Sequence, residues 1–116
     1  MSSMRTIPKT EWRAFFDRMS QALLGQRAEI EVASLELGDN IVAEWIPMIG
    51  ITYDSRDDLL DVALDGTNHL IRHPKEIVVE EKEGALTSVA VVDGEGTRQI
   101  VHLRTPAMLP PAMAHP

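Results

Sequence analysis

Three histidines, His69, His73 and His102, fall within the body of the chain, and a metal site would have to begin with them. On a helix, His69-x-x-x-His73 would stack two imidazoles on one face about 6 Å apart. Pro74 instead biases His73 toward extended backbone, and the flanking residues have strand character. Along a strand the two Cα atoms stand about 13 Å apart, which two rings bonding at about 2.0 Å barely bridge. No third ligand accompanies His102, so no metal ligand is assigned. The densest acidic patch, Asp54, Asp57, Asp58 and Asp61, lacks the bend glycine and distal glutamate of an ordered calcium loop. It reads as a solvated loop whose charges Arg56 partly offsets.

The other routes to chemistry close in the same way. Glu44 and Asp61 are the acids most flanked by apolar residues, but nothing selects a pair for proton transfer. Ser34, Ser55 and Ser88 have neither a nucleophile-elbow nor a lysine context. Gly94-x-Gly96 is followed by no helix and therefore makes a hairpin turn, not a dinucleotide loop. With no cysteine there is no disulfide, thiolate nucleophile or cysteine zinc site, which suits a reducing compartment. No catalytic residue, cofactor-binding residue or cofactor is assigned, and an enzyme is not expected.

Binding is the better prospect. The segment Trp45-Ile-Pro-Met-Ile-Gly-Ile-Thr-Tyr53 is mostly apolar, while Pro47 and Gly50 interrupt regular structure. It reads either as a buried connection or as a lip gripping a protein partner or a second copy of the chain. In the second reading Trp45, Met48, Ile49 and Tyr53 form the interaction surface. An alternative is a small-molecule or metal binder, or an enzyme, using the mouth of a bent sheet, with His69, His102 and Trp45 lining the pocket.

The elements that must position these residues are clear in outline. Trp12, Phe15, Phe16, Met19 and Leu23 follow an i, i+3, i+4, i+7, i+11 pattern, which predicts one amphipathic helix from Thr10 to Leu24. Thr10 is placed to cap it and Gly25 to end it. Alternation at Ala28–Val32 predicts a strand, with a bulge near Ala33-Ser34 before Leu35 and Leu37, and a turn at Gly38-Asp39-Asn40. The strand from Ile41 should end, or lie at an edge, at Pro47. Asp65-Gly66, Gly84 and Asp93-Gly94-Glu95-Gly96 punctuate the remaining strands. Short strands and tight turns favour an antiparallel meander. The fold class is α+β: one N-terminal helix packed on a bent antiparallel sheet, or partly open barrel, of six to seven strands. Residues 1–6 read as a flexible start, 7–105 as a single domain and 106–116 as a proline-rich tail.

Charge bounds the partners. The chain has 116 residues, 18 acidic against 11 basic, for a formal net charge of −7. Its basic residues are scattered, so nucleic acid, which requires a basic face, is not expected. Apolar runs of four or five residues cannot span a bilayer, and the first residues lack a signal-peptide core, leaving the cytoplasm as the expected compartment.

The opening Ile7-Pro8-x-x-Glu11-Trp12-x-x-Phe15 resembles the start of a family of small uncharacterised bacterial proteins, a domain of unknown function. The resemblance continues through Ile46-Pro47-Met48-Ile49-Gly50-Ile51, His69-x-Ile71-x-x-Pro74 and the strands around Asp93-Gly94, covering about Ile7 to Pro106. It implies one compact bacterial domain and brings no activity, cofactor or site residue with it. The expected role is a non-catalytic binding or assembly module, as a homodimer or with a protein partner.

Overall fold

The computed structural model describes residues 2–108. After β1 (Ser2–Thr6), a 3-10 turn (Lys9–Glu11) leads into α1 (Trp12–Leu23). Seven further strands follow: β2 (Arg27–Ser34), β3 (Gly38–Asp54), β4 (Leu59–Leu64), β5 (Thr67–Arg72), β6 (Glu76–Lys82), β7 (Ala85–Val92) and β8 (Arg98–Met108). All pair antiparallel, in the order β1-β6-β7-β8-β2-β3-β4-β5, so β1 and β5 are the edges of one open sheet. The helix-on-bent-sheet architecture agrees with the sequence; the strand count is eight, and the sheet does not close into a barrel.

The additional strand is β1, where a flexible start was expected. Its residues are all exposed, and it is held by backbone pairing from Ser2↔Lys82 to Thr6↔Val78 and by an ion pair between Arg5 and Glu81 at 3.2 Å. Such a strand leaves no hydrophobic alternation to read. At the other end β8 continues through Pro106 to Met108, so the first residues of the expected tail belong to the sheet. The rest of that tail lies outside the described residues.

The five stripe residues of α1 are all buried, and the helix lies along β3. Ser20 Oγ donates to Phe16 O at 2.9 Å and lies 3.2 Å from Ile51 O. Gly50 allows the close approach, since a Cβ there would meet Ser20 Oγ at 3.2 Å. Trp12 donates Nε1–H to Ile7 O at 2.8 Å, and its ring meets Tyr53 edge-on at 5.1 Å. Each fully buried large side chain contributes roughly 1.5–3 kcal/mol, so this stripe and the inward residues of the strands carry the domain. Thr10 does not cap α1: it sits in the 3-10 turn, and no side chain caps the helix.

Three local expectations change, for a turn, a bulge and a strand end. The β2–β3 hairpin turns at Leu35-Glu36-Leu37, closed by Ser34↔Gly38, so Gly38-Asp39-Asn40 already belongs to β3. The register shifts in β2 flank Ile30, not Ala33-Ser34. Nor does β3 stop at Pro47. Its first part pairs with β2 as far as Arg27↔Pro47, and its second with β4 from Met48↔Leu64. Proline at the changeover costs no ladder donor, its carbonyl accepts from Asp65 N at 2.8 Å, and Trp45 just before it adopts φ 51°. The strand thus bends and changes partner where proline tolerates it.

Candidate functional site

The bend brings the β3–β4 turn, the β5–β6 connection, the β7–β8 turn and the 3-10 turn together around a cleft of about 670 Å³. Lys9, Asp58, Arg72, His73, Lys75 and Glu95 line it with Pro74 and Gly94. Asp58 and His73 both hold left-handed backbone, at φ 50° and 54°, and His73 N donates to Asp58 O at 2.8 Å. Left-handed backbone at a residue other than glycine costs of order 1 kcal/mol, so two facing examples mark a lip the surrounding structure enforces. Gly94 completes the wall. A Cβ there would lie 2.9 Å from His73 Cβ, which leaves room only for glycine.

The Asp58 carboxylate is the hub. It accepts from Tyr53 Oη at 2.6 Å, lies 3.4 Å from Lys9 Nζ, and lies 3.4 Å from His73 Nδ1. The Tyr53 hydroxyl holds its carboxyl below the ordinary range against a burial cost, and His73 and Lys9 act in the same direction. Burial first, and the bond to Asp58 second, push the Tyr53 phenol up to about 12. The network fixes one carboxylate charge inside its own shell of donors. Arg72 and Lys75 are left without a carboxylate partner among the described residues.

Behind the cleft runs a buried polar chain. Asp93 Oδ1 accepts from the Glu95 and Thr97 amides, and Gln99 Nε2 donates to Asp93 Oδ2 at 2.8 Å. Gln99 Oε1 is hydrogen-bonded to His69 Nε2. This chain ties edge strand β5 to β8 across the concave face and satisfies polar groups that would be costly if left unpaired.

The residues singled out from the sequence are dispersed. His69 faces inward; His102 lies on the convex face, 3.0 Å from Glu31 Oε1, which it holds below the ordinary carboxylate range. The two therefore share no pocket, and Trp45, half-buried beneath Arg104, joins neither. Of the apolar segment, Met48 and Tyr53 are core, and among its large apolar side chains only Ile49 is well exposed. Exposed apolar surface concentrates instead on the β2–β3 hairpin, at Leu35, Leu37, Ile41 and Val42. The cleft itself was missed. The clue was Arg72-His73-Pro74-Lys75, two cations and an imidazole around a proline that turns the chain.

Among the described residues no three His, Cys, Asp or Glu groups come together as a metal site, and no helix is long and apolar enough to cross a membrane. No solved structure matches the chain. An uncharacterised protein of Aquifex aeolicus (strain VF5) is 41% identical over 107 residues, covering 91% of this chain and 96% of that protein. The model of a family of unknown function, DUF5335, matches residues 3–112. The family model spans the helix and nearly all of the sheet, and the chain belongs to the DUF5335 family.

Proposed function

We propose that the domain is a cytoplasmic, non-catalytic binding module that captures a protein partner on the tip of the β2–β3 hairpin. The observation that carries this reading is the exposure of Leu35 and Leu37, at 107% and 78%. Covering a leucine is worth roughly 1.5–3 kcal/mol, and this fold leaves two uncovered side by side. Glu36 lies between them, with Asp39 on the strand behind and Glu31 on the neighbouring strand. An apolar tip set in carboxylates, on a chain of net charge −7, suits a basic amphipathic segment. Trp45 and Ile49 lie outside this tip, so this reading puts the interaction surface on the hairpin in place of the expected segment.

Methyl spectra of the full chain, titrated with a leucine- and lysine-rich amphipathic peptide, test the reading. Saturable shifts at Leu35 and Leu37 are expected, and their loss in a Leu35→Ser, Leu37→Ser variant. That variant should keep its stability within about 0.5 kcal/mol, because both side chains stand in water. Shifts spread evenly over the surface, or binding undiminished in the variant, would refute it. Light scattering at two concentrations separates a second copy of the chain from a foreign partner: a dimer abolished by the same variant would replace the foreign partner with self-association.

A further inference from the structure

We infer that the cleft between the 3-10 turn, the β5–β6 connection and the β7–β8 turn binds a small oxyanion carrying two negative charges. This stands apart from the hairpin reading, because it rests on different residues. The cleft carries three cations, Lys9, Arg72 and Lys75, against the carboxylates of Asp58 and Glu95, in a chain with a large acidic excess. Asp58 is already occupied by the Tyr53 hydroxyl and flanked by Lys9 and His73. Its charge is therefore taken up by groups of the protein. Of the cationic residues lining the cavity, Arg72 and Lys75 have no carboxylate partner among the described residues. Two uncompensated cations at one concavity attract a dianion more than a monoanion, since each adds its own Coulomb term in a partly enclosed space.

The chemistry of the two groups sets the ligand class. A guanidinium offers a planar fork to two oxygens of one carboxylate or phosphate, and an ammonium offers a compact charge to a third. His73 adds a ring nitrogen at the rim, and its backbone is fixed by the hydrogen bond its amide donates to Asp58 O and by its close approach to Gly94. The lip is thus preorganised, so little conformational freedom is lost on binding. Glu95 is the one opposing charge not held by a cation, and it limits affinity. A second concavity serves as an internal control. It is lined by Arg13 and Arg56 together with Asp17 and Asp54, and its charges balance.

The test is a titration of the full chain, followed by backbone amide shifts, with inorganic phosphate, succinate and acetate in turn at constant ionic strength. A dissociation constant of about 0.1–1 mM is expected for at least one dianion, with shifts centred on residues 72–75 and 94–95, and acetate at least about tenfold weaker. Phosphate and succinate distinguish a tetrahedral from a dicarboxylate ligand. Arg72→Gln and Lys75→Gln should each weaken binding about tenfold, while Arg56→Gln leaves it unchanged. Glu95→Gln should tighten it severalfold, a gain that misfolding cannot imitate. Acetate binding as well as the dianions, loss on Arg56→Gln, no gain on Glu95→Gln, or no saturable shift at the cleft would each overturn the inference.

Discussion

Replacing Tyr53 by Phe removes one hydroxyl from the hub of the cleft and leaves the ring where it packs against Trp12. The structure puts that phenol up to about 12, chiefly by burial and then by its bond to Asp58. A phenol whose folded pKa exceeds its unfolded value keeps its proton in the native state after the unfolded chain has lost it. Stability is therefore untouched below about pH 10 and falls as pH rises from about 10 to about 12. Two pH units at about 1.36 kcal/mol each give a loss of roughly 2–3 kcal/mol across that window. Only 5% of Tyr53 is exposed, so solvent screening takes little from this figure.

Asp58 supplies the acid limb. Its folded pKa is depressed, so its contribution is present above the ordinary aspartate value and is lost as pH falls through the folded one. Tyr53→Phe should cost about 1–2 kcal/mol at neutral pH for the lost bond to a partly exposed carboxylate. It should also flatten the alkaline limb relative to the parent protein. The assay is unusually clean, because Tyr53 is the chain's only tyrosine and phenolate absorbance reports on it alone. Denaturant unfolding at neutral and alkaline pH gives the stabilities, with far-ultraviolet dichroism confirming that the fold persists. A phenolate midpoint near the ordinary value of about 10, or parallel alkaline limbs in parent and variant, would refute both the burial and the bond.

Phe16→Ala should cost about 3–5 kcal/mol in chemical denaturation, because a fully buried ring on the helix stripe leaves a cavity against the sheet. A loss below about 1 kcal/mol would contradict the packing of α1 on β3. Gly94→Ala forces a Cβ to within 2.9 Å of His73 Cβ, with backbone φ outside the left-handed region, so crowding alone sets its effect. About 1–3 kcal/mol of destabilisation is expected, with amide shifts focused on Asp58, His73 and Lys75. Unchanged stability and an unchanged His73 amide would show that the wall is not closed.

The elements legible in the sequence are those whose pattern and burial agree. The helix stripe from Trp12 to Leu23, the Asp65-Gly66 hairpin and the Asp93–Gly96 turn all obey local rules that tertiary packing does not override. Where reading fails, a nonlocal partner decides. β1 has no apolar face, so pairing with the free edge of β6 and the Arg5–Glu81 ion pair make it a strand. Leu35 and Leu37 look like strand residues continuing an alternation, yet they occupy the turn because Ser34↔Gly38 closes the hairpin. Pro47 reads as a terminator, and becomes a hinge because β2 and β4 each need half of β3. The cleft is least legible of all. Lys9, Asp58, Arg72 and Glu95 are far apart in sequence, and His73 before a proline reads as extended when it is left-handed.

The two proposed surfaces share a wall, and the reason lies in the β7–β8 turn. Glu95 lines the cleft on one side; with Gly96 and Thr97 it also lines a shallow concavity against Leu35 and Leu37 on the other. The turn has little freedom, because the Asp93 carboxylate takes two of its amides and Gln99 anchors that carboxylate from the core. A basic partner on the hairpin tip would bring positive charge toward Glu95, the group that opposes an anion in the cleft. Positive charge brought beside Glu95 favours an anion in the cleft, and by linkage a bound anion favours the basic partner to the same extent. The electrostatic link requires no movement of the backbone. On this reasoning an acidic hairpin and a cationic cleft can stand beside each other on one small sheet, because the ligand of each carries the charge that favours the ligand of the other.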